Sequence, residues 1–153
     1  MVAERGGEAF SSVEALLSRC DGVSIVTPTV THFQLAAEAL RAGKGVLVEK
    51  PITNDHESAE KLVELAKERN LPLQVGHIER FNPAYSYLKE VARKPRFIES
   101  HRLSTFPGRS VDVGVVLDLM IHDLDIVLAF VQSPVVSVDA CGARALGANT
   151  TGR

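Results

Sequence analysis

Short apolar runs alternate with amphipathic stretches over the first half of the chain. Val23-Ser24-Ile25-Val26-Thr27 is a β-favouring run stopped by Pro28. Val46-Leu47-Val48, continuing to Glu49 and bounded by Gly45 and Pro51, reads as a strand buried on both faces. Leu73-Gln74-Val75-Gly76-His77 reads as a further strand. Helical patterns lie before and between these runs. Ser11-Ser12-Val13-Glu14 is a capping box, with Ser11 as N-cap, that opens a short helix ending near Arg19. Thr31-His32-Phe33-Gln34 is a second capping box, and its helix stops at Gly43, a C′ glycine. Asn54-Asp55-His56-Glu57 caps a helix with Ala59, Leu62, Val63 and Ala66 on its inner face, and Asn70 is a left-handed stop before Pro72. Strands and helices in this alternation predict βαβ units, a parallel sheet and right-handed crossovers, that is, half of a doubly wound domain.

The pattern changes near Gly76. Pro83 to Val91 is helical, Arg96 to Leu103 alternates as a half-exposed antiparallel strand does, Leu117 to Val131 is a strong helix, and Val135 to Cys141 alternates again. This predicts an α+β region and two domains, 1–76 and 77–153, with a frayed tail from Gly142 to Arg153.

Composition narrows the function classes. A net charge of −2 points to no nucleic-acid or membrane-surface partner. Cys20 and Cys141 show neither metal-ligand spacing nor a disulfide framework, so a reduced, cytoplasmic setting is expected. Met1 to Arg5 lacks the apolar core of a signal peptide. The most apolar stretch, Val113 to Leu128, carries Asp118, His122, Asp123 and Asp125 and cannot be an ordinary membrane span.

Candidate chemistry gathers at two places. Glu49 and Lys50 stand at the carboxyl end of a strand, where ligands bind in open parallel sheets, and a cis Lys50-Pro51 bond would aim the lysine sharply. The alternative is a strand ending in a solvated charge pair. On the helix Leu117–Val131, at about 100° per residue, Asp118, His122 and Asp125 fall within a wedge of about 60° on an otherwise apolar surface, with Asp123 the polar exception. A helix so apolar should be buried, and its polar stripe should face water, a partner or a cavity. Asp118 and His122, one turn apart, can orient each other for acid–base work, or can simply satisfy each other inside a core. Metal binding competes weakly, because no HExxH motif or Cys/His cluster is present. Thr27, Pro28 and His32 flank a strand end and a helix start suited to an anion, although plain capping by Thr31 with a solvated His32 is the simpler and favoured reading of these residues. His77, Glu79 and Arg80 follow the last parallel strand. No GxGxxG is found.

VSIVTPTVTH (Val23–His32), VLVEKP (Val46–Pro51), GHIERFNP (Gly76–Pro83) and DLMIH (Asp118–His122) together resemble the Gfo/Idh/MocA oxidoreductases, over nearly the whole chain from Ala9 to Leu146. The resemblance implies a Rossmann domain for NAD or NADP and a second domain with a large open sheet. It implies hydride transfer between a sugar-type alcohol carbon and the nicotinamide, and a homo-oligomer in the complete form. Carried over by residue, Lys50 matches the catalytic lysine, His122 the general base on the substrate hydroxyl and Asp118 the acid that assists it. Thr27, Pro28, His32, Glu49 and Lys50 match positions around the cofactor, and His77, Arg80 and Asp125 fall in the expected substrate cleft. GHIERFNPA followed by MIHDLDI is most similar to members that oxidise a nucleotide-activated amino sugar such as UDP-N-acetylglucosamine.

The expected fold class is therefore α/β: a partial Rossmann-type parallel sheet without its first βαβ unit, followed by the start of an α+β domain with an open, mostly antiparallel sheet. Such a chain reads as the middle piece of a family member. The leading expectation is a dehydrogenase acting on a secondary alcohol of a sugar or nucleotide sugar. The competing ones are a non-catalytic binding module and an inactive fragment that keeps the fold.

Overall fold

Gly45–Val48 is the central strand, β2, of a three-stranded parallel sheet in the order β1-β2-β3, with Gly22–Ile25 as β1 and Leu73–Val75 as β3. The computed structural model describes residues 6–104 and 113–143. The expectations for Met1 to Arg5 and for most of the C-terminal tail lie outside them. The chain divides into two units, Met1–Val75 and Gly76–Arg153, each with its own architecture.

In the first unit the helices are α1 (Val13–Leu17), α2 (His32–Arg41) and α3 (His56–Arg69). Their ends follow local chemistry. Ser12, one residue later than expected, caps α1 by accepting from the Ala15 N–H, and Asp55 caps α3 by accepting from the Ser58 N–H. α2 ends at Gly43 with φ +78°, where the Gly43 and Lys44 amides bond the Leu40 and Ala39 carbonyls. α3 ends at Asn70 with φ 53°, where the Asn70 and Leu71 amides bond the Lys67 and Ala66 carbonyls. Both are Schellman closures, which need a left-handed residue. Gly45 is required for another reason: a Cβ there would meet Pro72 Cγ at 2.9 Å, where the chain enters β3. The Thr31 capping box does not form, because the Thr31 hydroxyl donates backward to the Pro28 carbonyl at 2.8 Å and pairs with Thr27 Oγ1 at 2.7 Å. A 3-10 turn, Thr29–Thr31, leads into α2 instead.

Strand register sorts the sheet's side chains into two faces. Ile25 pairs with Val48, and Val46 pairs with Val23 and Leu73, so these residues share one face with Val75. That face packs on Ala36, Leu40, Leu62 and Ala66 of α2 and α3, and Leu40, Leu62 and Val48 are fully buried. Alanines along α2 let the helix approach closely. Leu47 faces the other way and is 44% exposed, so β2 is buried on one face only, contrary to the expectation of two. Among the described residues both long helices serve the same face. On α3, Val63 is exposed and Leu65 packs inward in its place.

The second unit holds a 3-10 turn (Ile78–Phe81), α4 (Pro83–Val91), and a π-helical turn (Val116–Met120) that continues into α5 (Ile121–Val131). Asn82 caps α4 by accepting from the Ala84 N–H, and Tyr85 of α4 meets Phe130 of α5 edge to face at 5.6 Å. The two antiparallel strands expected at Arg96–Leu103 and Val135–Cys141 do not form among the described residues. Alternation prepares a segment for a sheet, but a strand exists only where a neighbour completes its ladder. The expected burial of the long helix is also overturned. No residue of α5 is buried, and Val116, Met120, Leu124, Leu128 and Val131 form an exposed apolar stripe.

Burial therefore divides unequally, since every buried apolar side chain among the described residues belongs to the first unit. Leu40→Ala should cost about 2–5 kcal/mol in urea unfolding, the range for emptying a packed core site. Leu128→Ala, on the exposed stripe, should cost less than about 1 kcal/mol. Amide exchange should be slowest in β2 and α2, and equal protection of α5 would contradict this division.

Candidate active site

In the first unit the candidate residues come off the carboxyl ends of β1 and β2. The in-register pair Ile25–Val48 makes the strands end level, and the Glu49 amide still donates to the Ile25 carbonyl at 3.0 Å. Thr27-Pro28 and Glu49-Lys50 therefore leave the sheet side by side. Thr27 and Pro28 are exposed, Glu49 and Lys50 half-buried, and the Lys50-Pro51 bond is cis. A groove of about 470 Å³ lined by Val63, Lys67, Asn70 and Leu73 lies at the other end of β3 and takes no part in this arrangement.

His32, the first residue of α2, is completely buried rather than solvated. Its Nδ1 lies 2.9 Å from the Pro51 carbonyl and its Nε2 lies 2.9 Å from the Thr27 carbonyl. The ring spans the two turns that carry Thr27-Pro28 and Lys50-Pro51. A neutral imidazole has one N–H and satisfies one carbonyl, whereas the charged ring satisfies both. A small hydrogen-bonded loop continues the second turn: Thr53, also buried, donates to the Asp55 carbonyl at 2.6 Å.

In the second unit the two carboxylates of α5 are each met from outside the helix. Arg80 grips Asp125 with both of its oxygens, Nε to Oδ2 at 2.7 Å and Nη2 to Oδ1 at 2.6 Å. Arg102 grips Asp123 in the same way, at 2.7 and 3.0 Å. Hydrogen bonds from these arginines hold both carboxyls below the ordinary Asp value of 3.8, against the opposing effect of burial. The charges of His77 and His122 act on Asp125 in the same direction as Arg80. Nδ1 of His122 is buried, and Nδ1 of His77 is buried without a hydrogen-bond partner among the described residues. Asp118 sits on the π-helical turn, a distortion common at functional sites, so its spacing to His122 is not that of a regular α-helix.

His77, Arg80, His122 and Asp125 are thus brought together, all within the second unit. The Arg102–Asp123 pair and the His32 bridge were missed by sequence reasoning. A lone Asp123 on an apolar helix was a signal that a cation must meet it, but nothing in the sequence said which one.

His32→Ala should destabilise the first unit by about 2–4 kcal/mol, since it opens a cavity and strands buried carbonyls, while Thr31→Ala should cost under about 1 kcal/mol. Equal losses in urea unfolding would deny the bridge its role. The lowered carboxyls of Asp123 and Asp125 contribute stability that is fully present above their unfolded-state value and is lost as pH falls through the folded-state value. Structure around α5 should therefore loosen as pH falls through and below about 4. An Arg80→Ala/Arg102→Ala variant should show a weaker acid dependence, followed through the Phe130 ring signals.

Comparison with known proteins places the chain among oxidoreductases with an NAD-binding Rossmann fold. The chain is 48% identical over 147 residues to the UDP-N-acetylglucosamine 3-dehydrogenase of Acidithiobacillus ferrooxidans, covering 95% of this chain and 47% of that protein. A solved structure of that dehydrogenase superposes with a TM-score of 0.89 over 95% of this chain and 48% of its own. The inositol 2-dehydrogenase of Corynebacterium glutamicum (strain R) is 32% identical, over 88% of this chain and 42% of its own length. An NAD-binding protein from Listeria innocua, 32% identical, superposes with a TM-score of 0.74 over 86% of this chain and 43% of its own. The chain spans about half the length of the relatives it matches. Residues 1–77 match the family described as "Oxidoreductase family, NAD-binding Rossmann fold", and with the parallel sheet, its level strand ends and the Lys50-Pro51 turn, the chain belongs to this family, Gfo/Idh/MocA.

Proposed function

We propose that this chain carries the reacting residues of an NAD(P)-dependent dehydrogenase acting on a secondary alcohol of a nucleotide sugar. The single observation behind the reading is the half-buried Lys50 at the level ends of β1 and β2, in a chain 48% identical to a UDP-N-acetylglucosamine 3-dehydrogenase. Thr27, Pro28, Glu49 and Lys50 suit the cofactor, because they leave the carboxyl edge of a parallel sheet, where such ligands bind. His32 supports that site from behind, since both of its ring nitrogens are taken up by backbone carbonyls. A bound nicotinamide supplies the hydride acceptor.

His122 takes the hydroxyl proton through Nε2, its Nδ1 being buried. Lys50 is assigned, from its place at the strand ends of the first unit, to stabilising negative charge that develops on a reacting oxygen. Asp118 steadies the protonated imidazole. His77 contributes to binding the sugar portion.

The test uses the chain completed with the segments that its Acidithiobacillus relative carries beyond the matched half. His122→Ala should lower turnover by about 10²- to 10⁴-fold, with NADH affinity nearly unchanged. Lys50→Ala should depress turnover as well, and Asp118→Asn should do so partially. A His122/Lys50 double change that costs less than the product of the single changes would mark the two residues as acting in one step. Normal turnover in His122→Ala with weakened NADH binding would reverse the assignment of this histidine to the substrate side.

A further inference from the structure

His32 sits where two turns leave the sheet. The Glu49 amide still bonds the Ile25 carbonyl at 3.0 Å, and beyond that bond β1 and β2 continue as Thr27-Pro28 and Lys50-Pro51. The fully buried ring touches both continuations, with Nε2 2.9 Å from the Thr27 carbonyl and Nδ1 2.9 Å from the Pro51 carbonyl. Its base is firm, because it opens α2, whose Ala36 and Leu40 are fully buried against the sheet. Both turns are stiffened by proline. The ring of Pro51 fixes its φ, so a held Pro51 carbonyl leaves little freedom before Lys50. The bulk of Pro28 biases Thr27 toward extended backbone. An imidazole with one proton bonds one of these turns and sets the spacing to the other, and with two protons it bonds both.

We propose that His32 is a positioning residue with two separable arms: Nδ1 sets the place of Lys50 through the Pro51 carbonyl, and Nε2 sets the place of Thr27 and Pro28. The consequence for turnover rests on the function proposed above, in which Thr27-Pro28 receives the cofactor and Lys50 the developing charge, but the hold on the two turns does not. Because both nitrogens face backbone, the ring acts on a ligand only through these turns. The arms can be cut one at a time. The amide nitrogen of asparagine falls near the place of Nδ1, and that of glutamine, one carbon longer, near the place of Nε2. His32→Asn therefore keeps a donor for Pro51, His32→Gln keeps one for Thr27, and His32→Phe keeps the ring volume with neither. A residue that only filled the core would make these variants differ in stability alone.

The experiment has two readouts. Backbone NMR of the 153-residue chain follows the order of the Thr27 and Thr29 amides on one turn and the Lys50 and Ile52 amides on the other. His32→Phe should loosen both pairs, His32→Asn only the Thr27 pair, and His32→Gln only the Lys50 pair. Leu17→Ala, a core loss at the end of α1, before the amino end of β1, should leave both pairs ordered. The second readout is kinetic, in the completed enzyme at a temperature where every variant is folded. His32→Phe should lower kcat by about 10- to 100-fold, the scale of a reacting group displaced by about 1 Å. It should also weaken NADH binding by about 3- to 10-fold, the scale of one hydrogen bond. His32→Asn should recover kcat and stay weak for NADH, whereas His32→Gln should recover NADH binding and stay slow. If His32→Phe does not fold, the Asn and Gln variants carry the comparison. Both pairs ordered in a folded His32→Phe, or Asn and Gln variants that fail alike, would overturn the proposal. Divided amide signals in a chain whose completed form oxidises no sugar would uphold the two arms and sink the proposed function instead.

Discussion

The first unit depends on one buried ring. Three separate pieces of chain, the end of β1, the turn after β2 and the start of α2, meet at His32, and neither the 3-10 turn nor α2 carries a side-chain N-cap bond. Backbone carbonyls taken out of water need a donor, and the carbonyls of Thr27 and Pro51 both face one imidazole, whose neutral form donates to one of them and whose charged form donates to both. A histidine suits this place because it carries a polar nitrogen at each end of a rigid plane. Phenylalanine would fill the volume and leave both carbonyls stranded, and a longer, flexible donor would lose more side-chain freedom on burial. The cost of burying a polar ring is thereby offset, and Lys50 gains a fixed base one residue from Pro51.

The same rule governs the second unit with charges in place of dipoles. α5 is too apolar to stay in water comfortably, yet it carries carboxylates that cannot be buried alone. Bidentate arginines from the 3-10 turn and from the segment leading to Leu103 resolve this, each matching one carboxylate. Those pairs, with the Tyr85–Phe130 contact, organise a unit that has no buried apolar side chain among its described residues. Its cohesion is accordingly more electrostatic, and more sensitive to acid, than that of the first unit, where Leu40, Leu62 and Val48 exclude water.

Local chemistry was legible along the chain. Short apolar runs marked the strands of the parallel sheet among the described residues, period-3.6 patterns marked the main helices, and Gly43 and Asn70 announced their left-handed stops, because these signals act within a few residues. Lys50 and His122 were singled out from residue type and spacing alone. Partnership across the chain was not legible. Whether Leu47 meets a helix or solvent, whether Arg96–Leu103 finds a strand beside it, and whether Asp125 meets Arg80 or water all depend on which surfaces arrive from elsewhere. His32 shows the limit most plainly. Sequence placed it correctly at a helix start, but only tertiary structure decided that it is buried and bridges two carbonyls 5 and 19 residues away, because a hydrogen bond across space leaves no periodicity in the chain.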